Sequence, residues 1–244
     1  MKKFIQTTFL LLILSCTQSK CQNSESVNNS KTAQQRKSQT EKILAKNNIP
    51  FIEHLPLIEE ESEAKIRKPN EIAERILILT YLSYVAEVPK DKKIVIDFLK
   101  KYNLWSKVSI HEKELFEKST LTEHEKVEIS WKCEAIWVLL WSINKVEKLE
   151  MPNETINVEE ILARIPHLFH YPEEFIKTAK VRSTSEILDM SDLIYRIHWA
   201  VRDAYLNQKS APGNMDEEIV MERHLAINWI TYYTDDWDDV TTDT

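Results

Sequence analysis

Glycine is almost absent from this sequence. Gly213 is the only one in 244 residues, where an average chain carries about 7%. Loops that cradle phosphates need glycine so that backbone N–H groups can approach the ligand. A G-x-G-x-x-G dinucleotide turn, a G-x-x-x-x-G-K-[ST] loop and a G-x-S-x-G nucleophile elbow are therefore excluded, and no nucleotide partner is expected. The tight Asn-Gly and Asp-Gly hairpins of β proteins are missing too. Cysteine is equally scarce. Of three, Cys16 and Cys21 lie near the N-terminus, and Cys133 alone falls in the folded part. A disulfide framework is excluded there, and so is a zinc site of several Cys and His at set spacings. No cofactor motif is present. Positive charge is also in deficit, with a net charge of -7. Phosphate neutralisation supplies most nucleic-acid affinity, so nucleic acid is an unsuitable partner.

What is present begins with an address. Met1-Lys2-Lys3 is a positive segment, and Phe4 to Leu14 is an apolar run too short to span a bilayer as a mature helix. Ile13-Leu14-Ser15-Cys16 then resembles a bacterial lipobox. It implies cleavage before Cys16, lipidation of that residue and export to the cell envelope, on a membrane. Leu14 is bulkier than the pattern usually carries, and simple secretion as a soluble protein is the alternative. Residues 17–40 hold no aromatics and almost no aliphatics. Such a stretch cannot repay its ordering entropy and reads as a flexible tether. The organisation expected is a leader over 1–16, a tether over 17–40 and one domain over 41–244.

The domain is expected to be all-α, a compact multi-helix fold with short polar and proline turns. Helical periodicity recurs throughout. A short polar helix is expected over 35–48. Pro69 suits the first turn of a helix to Glu87, and Pro89 opens another through Lys101. Ser109, Thr122, Asn157 and Ser183 each precede a Glu by three, the pattern of a capping box. The helix after Thr122 carries Trp131, Ile136, Trp137, Leu139, Leu140 and Trp141 and is expected at the centre. The helix after Ser183 has a core seam through Ile187, Met190, Ile194, Ile197 and Val201. A last helix runs from about Asp216 to Tyr233. No strand is expected. Cys133 reads as a small buried hydrophobe rather than a nucleophile.

Candidate chemistry gathers near the C-terminus. Tyr195, His198, Arg202 and Tyr205 form a second stripe beside the seam, with Asp203 on another face. The last helix offers Glu222, Arg223, His224 and Asn228, and the tail offers Trp237, Asp238 and Asp239. A His beside a carboxylate can act as a base near neutral pH, His198 and His224 with tail carboxylates could bind a metal, and Arg202 and Arg223 could clamp an anion. The same residue types also lock helices together as a buried network, or let a charged tail dock on helix ends. The residues leave these alternatives open.

Three segments carry a resemblance. Tyr195-Arg196-Ile197-His198-Trp199-Ala200-Val201-Arg202-Asp203-Ala204, Glu222-Arg223-His224-Leu225-Ala226-Ile227-Asn228-Trp229 and the tail from Trp237 resemble the bacterial domain of unknown function 4272 family. Arg67-Lys68-Pro69-Asn70-Glu71-Ile72-Ala73 and Trp131 to Trp141 are similar to its other blocks. Lys132 stands where Arg is expected, and Ser142-Ile143-Asn144 replaces an Ala-Leu-Gly-like ending. The resemblance spans about residue 36 to the end. It implies an all-helical fold and no assigned activity, so it implies no catalytic residue. Two functions remain in view: a membrane-tethered, non-enzymatic binding or assembly module with a protein partner in the envelope, or a hydrolase or metal-dependent enzyme built on His198, His224, Glu222 and the tail aspartates.

Overall fold

A computed structural model describes residues 31–244. Cys16, the leader and residues 17–30 of the expected tether lie outside the described residues. Among the described residues there are nine α-helices and no strand: α1 (Ala33–Lys46), α2 (Pro69–Glu87), α3 (Lys92–Lys101), α4 (Ile110–Glu117), α5 (Glu123–Ser142), α6 (Val158–Leu162), α7 (Glu173–Thr178), α8 (Thr184–Leu206) and α9 (Glu217–Ile230). A 3-10 turn over Pro89–Asp91 separates α2 from α3, so the second helix, expected to open at Pro89, begins as an α-helix at Lys92. None of these helices is long and apolar enough to cross a membrane.

The helices stack in the order α2, α5, α9, α8, α1. Helix α5 is buried on most sides because Ala135 to Ser142 is almost continuously apolar. It meets α2 through a large apolar cluster that includes Ile72, Ile76, Leu79, Val138, Leu139 and Ile227. A smaller cluster around Leu44, Ile49, Ile197, Val201 and Val220 joins α1, α8 and α9.

Helix starts follow the sequence signals closely. Ser109, Thr122 and Ser183 each accept from the N–H three residues on while the Glu there reaches back. Asn157 is a simple cap, accepting from Glu159 N–H at 2.9 Å with no return bond from Glu160. A further capping box, Thr32 with Gln35, starts α1 inside the stretch expected to be tether. The physical reason is ionic rather than apolar. Arg36 is buried, 3.0 Å from Asp189 of α8, and Lys37 donates to the carbonyls of Glu53 and Leu55. These contacts tie the polar start of α1 to α8 and to the loop that follows α1.

Helix ends are made without glycine. Asn48, Asn103, Asn144, Gln208 and Tyr232 adopt left-handed φ of 53° to 62° just past α1, α3, α5, α8 and α9. Each closes a Schellman turn, as when Ile49 N–H reaches the Leu44 carbonyl at 2.9 Å and Lys209 N–H that of Ala204 at 2.8 Å. Asparagine tolerates this region better than most residues, but tyrosine and glutamine adopt it at a cost.

Candidate functional site

Residues on a helix advance by about 100° each, so neighbours in sequence face different directions. Helix α9 applies this to Glu222, Arg223 and His224. His224 faces α8, Glu222 faces α5, and Arg223 lies between them. The residues that look like one cluster therefore belong to separate arrangements.

The first is a histidine pair. His198 Nδ1 and His224 Nδ1 lie 2.8 Å apart, with rings nearly perpendicular at 86°. One Nδ1–H donates and the other nitrogen accepts, so the two rings are not both protonated. Tyr195 lies against His224 with ring centroids 5.9 Å apart. The side chains are 2% and 3% exposed. Burial pushes His198 down to about 4, helped by the positive charge of Arg202. Burial pushes His224 down to about 3, helped by His198 and opposed by Asp243. Such rings are poor bases at neutral pH. The α8 stripe then leaves the protein interior: Arg202 and Tyr205 are exposed, and Asp203 accepts from Asn207 Nδ2 at 3.1 Å.

The second arrangement is a clamp. Arg223 Nε donates to Glu134 Oε2 at 3.0 Å and its Nη1 to the Glu150 carbonyl at 2.6 Å. Glu134 accepts from Ile156 N–H at 2.8 Å, so α5, α9 and the segment before α6 are tied at one buried point. Burial pushes the Glu134 carboxyl up, and Arg223 opposes the shift.

The third is the C-terminal tail. Trp237 is buried against Trp229, with ring centroids 5.4 Å apart, and beneath the Arg75 guanidinium at 4.9 Å. Asp238 accepts from His111 N–H at 2.9 Å, where its charge suits the N-terminus of α4. Asn228 Nδ2 donates to the Thr241 carbonyl at 2.9 Å. Asp239 is exposed. Among the described residues no group of three or more His, Cys, Asp or Glu is placed to hold a metal ion.

Glu222, Trp237 and Asp238 do come together, as parts of a cavity of about 820 Å3 between α4, α5, α9 and the tail. That volume lies in the range of small-molecule sites. Its apolar walls include Leu115, Ile129, Leu225 and Val240, with Trp131 and Trp237. Within it Lys132 Nζ donates to Glu222 Oε1 at 2.6 Å, and Glu222 Oε2 is buried with no hydrogen-bond partner. Deeper in the wall, Arg75 Nη1 donates to both oxygens of Glu112 at 2.8 and 2.7 Å.

Sequence reasoning passed over several of these side chains. Lys132 drew notice only as a departure from Arg. Arg67 donates to the carbonyls of Trp229 and Thr234, each at 2.7 Å, and stacks between Trp229 and Tyr232. It lies in a loop, where no periodicity marks it. Asp192 and Arg196 form a buried pair within α8, at 2.9 Å, and their spacing of four was a readable signal. Cys133 lines a smaller, mainly apolar cavity of about 210 Å3, and burial pushes its thiol up to about 11, so a reactive thiolate is disfavoured.

No curated protein and no solved structure matches the chain. The family described as a domain of unknown function, DUF4272, matches residues 36–240, which is most of the sequence. The chain belongs to the DUF4272 family.

Proposed function

We propose that this chain is a non-enzymatic ligand-binding module of the bacterial cell envelope, held to a membrane by lipid on Cys16. The observation that carries the binding part is the cavity between α4, α5, α9 and the tail, tryptophan-walled and largely apolar on its inner side, with the half-buried Lys132–Glu222 ion pair in it. Sites of this kind give affinity through their walls and orientation through a few polar groups. That His198 and His224 pair with each other, while Glu222 meets Lys132 and Asp238 meets the start of α4, supports binding over a hydrolase built on those residues. The anchoring part is supported by the Lys-rich start, the short apolar run and Ile13-Leu14-Ser15-Cys16.

A neutral dye that brightens in apolar surroundings, Nile Red, tests the cavity. The full chain is expected to bind it, and Leu225→Trp, which fills the wall, to bind it at least about tenfold more weakly. No dye binding by the wild-type chain would remove the binding reading. Labelled palmitate is expected to enter the wild-type protein in cells and not Cys16→Ser. Absence of label from both would replace the anchored form by simple secretion.

A further inference from the structure

We infer that the cavity between α4, α5, α9 and the tail takes an amine ligand, its N–H-bearing ammonium held by Glu222 and Glu218 and its apolar body against the tryptophan walls. The inference rests on the binding reading above and adds the chemical class of the ligand.

Charge balance is the first reason. Seven carboxylates line the cavity against one ammonium, that of Lys132. Four of the seven are already engaged within the protein. Arg75 holds Glu112, Lys126 holds Glu123 and Lys118 holds Glu125. Asp238 accepts from the backbone of α4, and Glu128 stands well exposed at the edge beside His124. Glu218 and one oxygen of Glu222 remain toward the apolar walls. The group formed by Glu218, Glu222 and Lys132 carries a net charge of -1, which an ammonium brings to zero and an anionic ligand would double.

The second reason is the Glu222 carboxylate itself. It is 4% exposed, its Oε1 is taken by Lys132, and its Oε2 is buried and without a donor. Leaving a buried charged acceptor unmet is costly, so a donor from the cavity side is strongly favoured. Charge alone does not satisfy that oxygen, which requires a donor hydrogen, and an ammonium N–H supplies both the hydrogen and the charge. Glu218 stands one helical turn earlier, exposed at the rim on the same face of α9, with no ion pair among the described residues. Burial and the neighbouring Glu217, Asp216 and Glu222 push its carboxyl up, and Lys132 opposes the shift only in part, the mark of local negative potential.

The third reason is the wall. Leu115, Leu225 and Val240 offer apolar surface, and Trp131 and Trp237 offer indole rings beside the carboxylates. A cation near an indole face gains further attraction. The ligand expected is therefore amphipathic, with a primary or secondary amine at one end.

Four matched probes test this by calorimetry on the full-length chain in neutral detergent, with the empty-micelle heat subtracted: 4-phenylbutylamine, its trimethylated ammonium, 4-phenylbutanol and 4-phenylbutanoate. The amine is expected to bind about tenfold or more tighter than the alcohol and the trimethylated form, and the carboxylate not at all. Glu222→Gln and Glu218→Gln are each expected to weaken amine binding by a clearly larger factor than alcohol binding. Glu218 is exposed, so its variant keeps the test valid should Glu222→Gln unfold. Equal affinity for amine and alcohol, equal affinity for amine and trimethylated form, or preference for the carboxylate would overturn the amine class. Those outcomes would leave the cavity reading standing. Failure of all four probes would also overturn the inference, and the binding reading would fall with it only if Nile Red binding failed as well.

Discussion

The two sides of α9 are built differently. The drier side, toward α5 and α2, is mainly apolar, with Ala226, Ile227 and Ile230 joining Ile76, Leu79, Val138 and Leu139, and its charge is limited to Arg223 on Glu134 and Lys132 on Glu222. Toward α8 and α1 the apolar cluster is small, and the interior is filled with charge and hydrogen bonds: Arg36 on Asp189, Arg196 on Asp192, His198 on His224. Apolar packing tolerates repacking when volume is kept. Directional buried bonds do not slide. The drier side supplies most of the burial, and the polar side fixes how α1 and α8 are placed on it.

Breaking one partner of a buried pair tests this contrast most severely. Asp192→Ala strands the Arg196 guanidinium and is expected to cost about 3–5 kcal/mol in urea unfolding. Leu139→Ala, on the drier side, is expected to cost about 2–5 kcal/mol through lost burial and a cavity. The double change Asp192→Leu with Arg196→Met should recover most of the first loss, since neither charge remains. A single-variant cost below about 1 kcal/mol would mean that the two sides do not differ in kind.

Acid should then separate the sides. Burial holds His198 and His224 below their ordinary 6.5, at about 4 and about 3. Below 6.5 the unfolded chain therefore binds protons that the folded chain refuses, and stability falls as pH falls. Between pH 6.5 and pH 5 the loss is expected to be about 1.5 kcal/mol per histidine. The double variant His198→Leu, His224→Leu should flatten that limb, and an unchanged limb would assign the acid sensitivity elsewhere.

Smaller effects mark the edges. Asp238→Ala removes the tail's acceptor at the start of α4 and should cost about 0.5–1 kcal/mol, lowering the melting temperature slightly. Arg202→Ala and Tyr205→Ala lie on the exposed end of the α8 stripe and should each change stability by less than about 0.5 kcal/mol. A larger loss from either would extend the polar network beyond His198.

Much of the fold was legible because helix periodicity and capping residues are local signals. Pro69 at the start of α2, and Ser109, Thr122 and Ser183 before α4, α5 and α8, acted as their side chains require. The start of α1 was not legible, because its stability depends on Asp189, far away in sequence. The candidate site was legible in composition and not in arrangement. Glu222 and His224 are two residues apart and face opposite neighbours, Lys132 and His198. His198 and Arg202 share a stripe, yet one is buried and the other exposed. Sequence spacing gives the face of a helix, but not what covers that face.

The left-handed turns bear on the unfolded chain as well as the folded one. Asn48, Asn103, Asn144, Gln208 and Tyr232 occupy positions where glycine would relax the native backbone. Glycine would also give the denatured chain more conformations to lose on folding, a penalty of about 0.4–1 kcal/mol per site. The two terms oppose each other and are similar in size. A chain with one glycine in 244 residues thus accepts strain at its helix ends and gains a denatured ensemble of lower entropy. Its resistance to unfolding owes something to disorder it cannot reach.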